Sequence, residues 1–181
     1  MSQFEEKQIE REEIFNGAVL HVVKDKVLLP DGNTSYREFC LHKGAVAVIP
    51  ITDDNEIILV RQFRYAHHRE FLEIPAGKFD FAGEEPLAAA KRELSEETGA
   101  VAKKYTSLGI LDTTPALIDE IIHLYMAEDL TFGNMHLDED EFLSVERIPL
   151  TKLIDMVMNG EIRDAKTQIA ILKVARLKKM I

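Results

Sequence analysis

The order of hydrophobic and polar positions divides the chain into a strand-rich first third and a later part with three helical segments. Between residues 15 and 65, short apolar runs alternate with turn residues, which is typical of strands. The turns are expected at 30–33 and 53–55, and the second should join a hairpin. The charged first dozen residues predict an arm or a frayed strand. The predicted strands in this part are 19–23, 27–29, 35–42, 45–51 and 56–64.

The most regular helical pattern lies at residues 86–98. This segment is rich in Ala, Leu, Glu, Lys and Arg and has no Gly or internal Pro. Pro86 suits a first helical turn, and Gly99 suits a C-terminal cap. One apolar face recurs at i, i+3 and i+7, formed by Leu87, Ala90 and Leu94. We therefore expect a helix that packs one side against the core.

The remaining segments predict more strands and two further helices. An acidic loop is expected at 132–140, and Asp164 is a suitable N-cap for the last helix. Strands before, between and after helices indicate a mixed α/β or α+β fold. No linker is visible, so the whole chain, 1–181, is expected to form a single domain. The predicted elements are strands 105–111, 121–127 and 142–148 and helices 150–159 and 164–179.

Composition removes several classes of protein. No apolar run approaches the roughly 20 residues of a membrane span. The charged amino terminus lacks the apolar core of a secretory signal, so we expect a cytoplasmic protein that does not bind membranes. A formal net charge of -10 argues against nucleic-acid binding. The single cysteine, Cys40, excludes an intramolecular disulfide.

Three carboxylates share one side of the helix predicted at 86–98. Glu93, Glu96 and Glu97 stand at i, i+3 and i+4, within about a third of the helix circumference. Like charges this close repel each other, and a divalent cation would neutralise them. Hard oxygen ligands suit Mg²⁺ or Mn²⁺. Taken alone, the cluster is better explained by a solvated Glu-rich face.

Residues 77–100 resemble the Nudix box, G-x5-E-x7-R-E-U-x-E-E-x-G-U, in which U is a bulky apolar residue. In this chain six residues separate Gly77 from Glu84, where the box has five. We expect the additional residue, Phe81 or Ala82, to form a bulge in the loop before the helix. The positions that match in register are Glu84, Arg92, Glu93, Leu94, Glu96, Glu97 and Gly99.

This resemblance implies a site that holds Mg²⁺, with Mn²⁺ as a substitute, against a diphosphate. It implies metal ligation by Glu93 and Glu97, which are the strongest candidates. It implies a catalytic role for Glu96, Glu97 and Arg92, with Arg92 orienting the carboxylates through charge-assisted hydrogen bonds. The further candidate ligands are Glu96, Glu84 and the Ala76 carbonyl.

Two features outside the box are similar to the ADP-ribose pyrophosphatase subgroup. One is the sequence EFLEIPAGK at 70–78, and the other is Pro115, fifteen residues after Ala100. The resemblance implies the Nudix fold, a mixed sheet sandwiched between helices with an amino-terminal antiparallel region. It also implies a homodimer, with strands in 1–44 contributing to the dimer and 45–181 forming the catalytic core.

The subgroup further implies where the catalytic base and the substrate contacts lie. The base is expected in the acidic loop after the box, at Glu139 or Glu141. Guanidinium groups match phosphate oxygens bidentately, which makes arginines on the strands candidates for substrate contact. In the dimer, Phe15 could contribute to adenine binding. The candidate substrate-binding residues are Arg37, Arg61, Arg64 and Glu120.

The leading functional hypothesis is hydrolysis of a nucleoside diphosphate sugar, ADP-ribose above all, to AMP and ribose 5-phosphate. Another nucleotide sugar such as GDP-mannose, or a nucleoside triphosphate, is an alternative substrate. A different class of function is a Nudix-like sensor that binds nucleotides without turnover. The intact Glu93, Glu96 and Glu97 favour an enzyme over that sensor.

Overall fold

A computed structural model describes residues 2–81, 83–137 and 141–181 and divides the chain into two compact units. The first unit is Met1–Gly44 with Asp112–Ile121, and the second is Ala45–Leu111 with Ile122–Ile181. The segment 112–121, which the sequence placed in the catalytic core, therefore groups with the amino-terminal strands.

The first unit contains an antiparallel sheet of three strands in the order β1-β2-β3. The strands are β1 (Lys7–Asn16), β2 (His21–Leu28) and β3 (Thr34–Leu41). Of the arm or frayed strand expected for the first dozen residues, the structure has a paired strand, because β1 pairs with β2 from Lys7 to Asn16. The two segments predicted at 19–23 and 27–29 are replaced by one continuous strand, β2, which keeps unbroken pairing with β3 from His21 to Leu28.

The second unit contains two sheets. The larger has the order β7-β4-β9-β8, and the smaller has the order β10-β5-β6. Strand β4 pairs antiparallel with β7 and parallel with β9, so the larger sheet is mixed. The strands are β4 (Ala45–Pro50), β5 (Glu56–Arg64), β6 (Arg69–Glu73), β7 (Ala76–Lys78), β8 (Ala100–Asp112), β9 (Ile121–Phe132) and β10 (Leu143–Pro149).

The prediction that 45–51 and 56–64 form a hairpin is wrong. The turn forms, with the Asn55 N–H donating to the Thr52 carbonyl and the Thr52 N–H donating to the Glu56 carbonyl. The pairing then ends at a single isolated bridge between Ile51 and Ile57. Beyond this bridge β4 and β5 enter different sheets. Strand β4 and the first half of β5, 57–60, are apolar and buried on both faces, and covering them requires more layers than a single hairpin provides.

Strand β4 lies between two hydrophobic clusters. Its odd positions, such as Ala47 and Ile49, pack in a cluster with residues of the two later helices. Its even positions, Val46 and Val48, pack with Leu94 of the first helix. Because alternate side chains of β4 point to opposite faces, helices pack on both sides of the mixed sheet, as the fold prediction required. The helices are α1 (Pro86–Thr98), α2 (Leu150–Met158) and α3 (Ala165–Leu177).

The predicted helix boundaries agree with the structure to within about two residues, which is the usual scatter. The Asp164 side chain caps α3 by accepting a hydrogen bond from the Thr167 N–H. Strands were predicted less well: β8 begins at Ala100 and β9 continues to Phe132, and β6 and β7 were not predicted. Among the described residues, no helix is long and apolar enough to cross a membrane.

Candidate metal centre

Helix α1 is fixed at both ends, which determines the direction of its carboxylates. The Glu85 side chain accepts hydrogen bonds from the Leu87 and Ala88 N–H groups, and Pro86 begins the helix. At the other end Gly99 has a φ of 67°, a left-handed conformation that favours glycine. A Cβ at Gly99 would also collide with the Gly133 backbone, so both the backbone conformation and the close contact require glycine at this cap.

Glu93 and Glu97 point from α1 toward the short strand β7. Both are buried, with exposed fractions of 9% and 5%. The Glu97 carboxylate accepts a hydrogen bond from the Ala76 N–H at 3.1 Å. The Glu93 carboxylate lies so close to Gly77 that a Cβ there would overlap it. A glycine on β7 therefore makes room for a carboxylate of α1.

Burial makes these two carboxylates unusually weak acids. It raises the pKa of Glu93 to about 7, although the Arg92 guanidinium acts in the opposite direction. Burial also raises the pKa of Glu97 to about 8, and the negative charge of Glu93 adds to the effect. Two neighbouring buried carboxylates cannot both ionise easily without a positive charge near them.

The Arg92 guanidinium connects three of the glutamates that the sequence placed in the site. It donates to Glu93 at 2.7 Å and to Glu96 at 3.1 Å, and its contacts with Glu84 are 3.4 Å long. Glu96 remains the most accessible of the three, with 40% of its side chain exposed. This is the arrangement expected of a residue that orients carboxylates, and the catalytic role of Arg92 stays a prediction.

The loop before α1 retains Glu84 near the helix despite its additional residue. The Glu84 N–H donates to the Phe81 carbonyl, and the Glu84 carboxylate accepts from the Asp80 N–H at 2.9 Å. This backbone hydrogen bond holds the pKa of Glu84 below its ordinary value. Phe81 is 61% exposed, while Ala82, the other candidate for the bulge, lies outside the described residues.

Only one of the two candidate bases can be placed. Glu139 lies outside the described residues. Glu141 is half-buried, and its negative charge contributes to the raised pKa of both Glu93 and Glu97. Glu141 is therefore within electrostatic range of the α1 carboxylates.

Two of the candidate substrate residues belong to the first unit. The Arg37 guanidinium is engaged by Glu6 at 2.5 Å. The Glu120 carboxylate accepts from the Thr113 hydroxyl at 2.8 Å and lies 3.6 Å from the His42 ring nitrogen. Their contribution to substrate binding stays a prediction.

The other two candidates lie on β5 in the second unit. Arg61 pairs with Glu146 of β10. Arg64 donates two hydrogen bonds to the Glu73 carboxylate, at 2.8 and 2.9 Å. The charge of Glu97 contributes to the raised pKa of Arg64, so Arg64 is within electrostatic range of that glutamate.

Sequence reasoning missed three residues around this centre. Asp80 approaches the Arg92 guanidinium at 3.2 Å. Lys166 of α3 pairs with Glu73, which is only 3% exposed. The charged Glu73 within the otherwise apolar run 71–76 was the available signal, because a buried charge requires a partner.

The residues around β7 and α1 fit a divalent cation. The donors are carboxylate oxygens, which Mg²⁺ and Mn²⁺ prefer. Burial raises the pKa values of Glu93 and Glu97, and a bound cation would lower them again by stabilising the ionised carboxylates. Gly77 leaves the space beside Glu93 clear of a side chain. Within 2–81, 83–137 and 141–181, no three His, Cys, Asp or Glu side chains are already grouped as a ligand set.

Comparisons with known proteins agree with this geometry. The family model of the NUDIX domain matches residues 41–168. An ADP-ribose pyrophosphatase from Bacillus subtilis is 46% identical over 94% of this chain and 93% of its own length. A methanol dehydrogenase activator from Bacillus methanolicus is 44% identical over 93% and 91%. A crystal structure described as an ADP compounds hydrolase superimposes with a TM-score of 0.86 at 25% identity, covering 99% of this chain and 97% of that one.

Proposed function

Because this chain belongs to the Nudix family, a group of hydrolases that act on pyrophosphate bonds, we propose that it cleaves ADP-ribose to AMP and ribose 5-phosphate. The observation that carries the proposal is the buried pair Glu93 and Glu97 beside Ala76 and Gly77, a place where a cation and a diphosphate would neutralise each other's charge. The choice of ADP-ribose rests on the 46% identity to an enzyme with that substrate.

Glu93, Glu97 and the Ala76 carbonyl would hold the metal. Mg²⁺ is the proposed ion, with Mn²⁺ as a substitute, and when bound it would supply positive charge to the diphosphate and lower the pKa of a water molecule. Glu96 and Glu84 are the further candidates, and Arg92 keeps both in orientation through its hydrogen bonds. Since Arg92 is already bonded to three carboxylates, its part is to orient them rather than to bind substrate.

The residue proposed to accept a proton from the attacking water is Glu141. Its charge already acts on Glu93 and Glu97, so it is within electrostatic range of the carboxylates beside which the base must work. Glu139 remains the other candidate.

Arg64 is the proposed diphosphate contact, since it lies near Glu97 and its guanidinium is partly exposed. Arg61, Arg37 and Glu120 are proposed as additional substrate contacts.

Product analysis tests the function. Purified protein with Mg²⁺ is incubated with ADP-ribose, GDP-mannose, UDP-glucose, NAD, ATP and 8-oxo-dGTP. We expect AMP and ribose 5-phosphate from ADP-ribose at the highest kcat/KM. A higher kcat/KM for GDP-mannose or for a triphosphate would refute the assignment of ADP-ribose as the substrate. No turnover with Mg²⁺ or Mn²⁺ would favour the nucleotide sensor.

A second candidate function is activation of a methanol dehydrogenase, which is favoured by the relative with 44% identity. The test adds the wild type or Glu97→Gln to a methanol dehydrogenase assay. Stimulation by the wild type alone would link activation to the same site, and stimulation by neither protein would remove this candidate.

We also propose that the protein is a cytoplasmic homodimer that binds neither nucleic acid nor membranes. Strand β1 is the edge of its sheet and all ten of its residues are exposed. Ile9, Ile14 and Phe15 on this strand are each more than half exposed, at 53%, 51% and 55%. A second copy that pairs with this edge could cover these three apolar side chains. Light scattering should give twice the mass of the 20.6 kDa chain.

A further inference from the structure

Residues 73–76 connect β6 to β7 and are held by hydrogen bonds along the backbone. The Ile74 N–H donates to the Thr167 hydroxyl at 2.9 Å. The Pro75 carbonyl accepts from the Val48 N–H at 2.9 Å. The Ala76 N–H donates to Glu97. The segment that carries the proposed metal-binding carbonyl is therefore tied to three separate elements.

The tie at Ile74 comes from the first turn of α3, which is far from the box in sequence. Thr167 is fully buried, and its hydroxyl accepts from Ile74 while donating to the Asp164 carboxylate at 2.5 Å. Asp164 also accepts from the Thr167 N–H at 2.9 Å, which caps the helix. The Thr167 oxygen therefore has one defined orientation.

The side chain of Glu73 provides a second tie to the same turn. Lys166 contacts the Glu73 carboxylate at 2.5 Å and Asp164 at 3.0 Å. Glu73 also accepts two hydrogen bonds from Arg64, so Lys166 and Arg64 share one buried carboxylate. Removing Lys166 would leave Glu73 with Arg64 as its remaining cation among the described residues.

We propose that Thr167 and Lys166 are positioning residues of the hydrolytic centre. They act through Ile74 and Glu73 on the segment 73–76, and through it on Ala76 and the Glu97 carboxylate. Pro75, the single residue between Ile74 and Ala76, has a fixed φ, so one of its two backbone torsions cannot absorb a displacement of Ile74. This inference rests on the proposed function, because it assumes that Glu97 and Ala76 bind the metal.

A purely structural contact on the same helix offers a matched control. The Lys173 ammonium, on α3, donates to the Leu108 carbonyl at 2.6 Å. Lys173→Met removes a partly buried hydrogen bond from α3 without affecting residues 73–76. It should lower the melting temperature and leave metal affinity as in the wild type.

The experiment measures Mn²⁺ affinity by electron paramagnetic resonance on the full chain, with the melting temperature recorded for each variant. Thr167→Val keeps the shape of the side chain and removes the hydroxyl, whereas Thr167→Ser keeps the hydroxyl. Removing a group that hydrogen-bonds a metal ligand typically weakens metal affinity 10- to 100-fold. Thr167 acts on Ala76 through Ile74, so we expect Thr167→Val to weaken Mn²⁺ binding about tenfold, the lower end of this range. Thr167→Ser should retain most of the wild-type affinity.

A second pair of variants covers the case in which Thr167→Val does not fold. Lys166→Met should weaken Mn²⁺ binding even though it removes a positive charge that acts on Glu97. Lys166→Arg keeps that charge and can still pair with Glu73, so it should retain part of the affinity. Wild-type affinity in folded Thr167→Val or Lys166→Met would overturn the proposed positioning role.

The wild type separates this inference from the proposed function. If it binds Mn²⁺ but hydrolyses no compound of the panel, the proposed function fails, and weaker binding in Thr167→Val still supports the positioning role. If the wild type binds no Mn²⁺, both the metal assignment and the positioning role are refuted.

Discussion

Gly77→Ala tests whether the space beside Glu93 is required for function. Gly77 lies in β7 and is not among the glycines with positive φ, so alanine can adopt its backbone conformation. The new methyl group would overlap Cδ and both oxygens of the Glu93 carboxylate. These atoms are the far end of a flexible side chain, so the carboxylate should withdraw while the fold persists.

The expected magnitude follows from the size of this withdrawal. Carbon atoms settle at about 3.5–4 Å from their neighbours, so the carboxylate must retreat by on the order of 1 Å or more. A misplacement of about 1 Å costs about 100-fold in catalysis, which corresponds to about 2.7 kcal/mol in transition-state stabilisation. Replacing glycine with alanine in a compatible conformation stabilises by about 0.4–1 kcal/mol through the unfolded state, so the free energy of unfolding should change little.

The assay is kcat/KM for ADP-ribose over a Mg²⁺ titration, with Mn²⁺ affinity and melting temperature measured in parallel. Gly133→Ala is the matched control, since among the described residues a Cβ there meets only the Gly99 carbonyl oxygen, at 3.8 Å. We expect the control to behave as the wild type. If Gly77→Ala keeps wild-type kcat/KM and Mn²⁺ affinity, the Glu93 carboxylate is not needed where the structure places it, and the metal assignment fails.

Two other substitutions test the centre and its support. Glu97→Gln should abolish turnover at saturating Mg²⁺ while circular dichroism shows a folded protein, and wild-type activity would contradict the role of Glu97. Glu73 supports the fold in a pH-dependent way: burial alone would raise its pKa, but Arg64 and Lys166 lower it to about 2. A lowered carboxyl pKa gives stability that is present above the ordinary value near 4.5 and lost as the pH falls toward 2, here about 3 kcal/mol. Urea denaturation between pH 5 and pH 2 should show this loss in the wild type and a flatter profile in Glu73→Gln; equal slopes would refute it.

The box sequence predicted α1 well because its information is local. Pro86 and Gly99 mark the helix ends through backbone chemistry that needs no distant partner. The spacing of Glu93, Glu96 and Glu97 fixes their common side of the helix wherever the helix lies. The Nudix family could be recognised from this segment, and the family model agrees.

Strand pairing was predicted less well because it depends on distant segments. The turn at 53–55 was visible in the sequence, but β4 pairs with β7 and β9, and β5 pairs with β10 and β6. An apolar run such as 45–51 shows that a strand is buried and does not identify its neighbours.

The sequence by itself determined which carboxylates share a helix face and which chemistry they favour. Only the tertiary structure decided that Gly77 leaves space for Glu93, that Ala76 donates to Glu97, and that Thr167 holds Ile74. The last contact joins residues 93 positions apart, a separation at which no local pattern specifies a partner. Burial likewise belongs to the fold: the same glutamates would be ordinary acids on a solvated helix, and packing against β7 raises their pKa values.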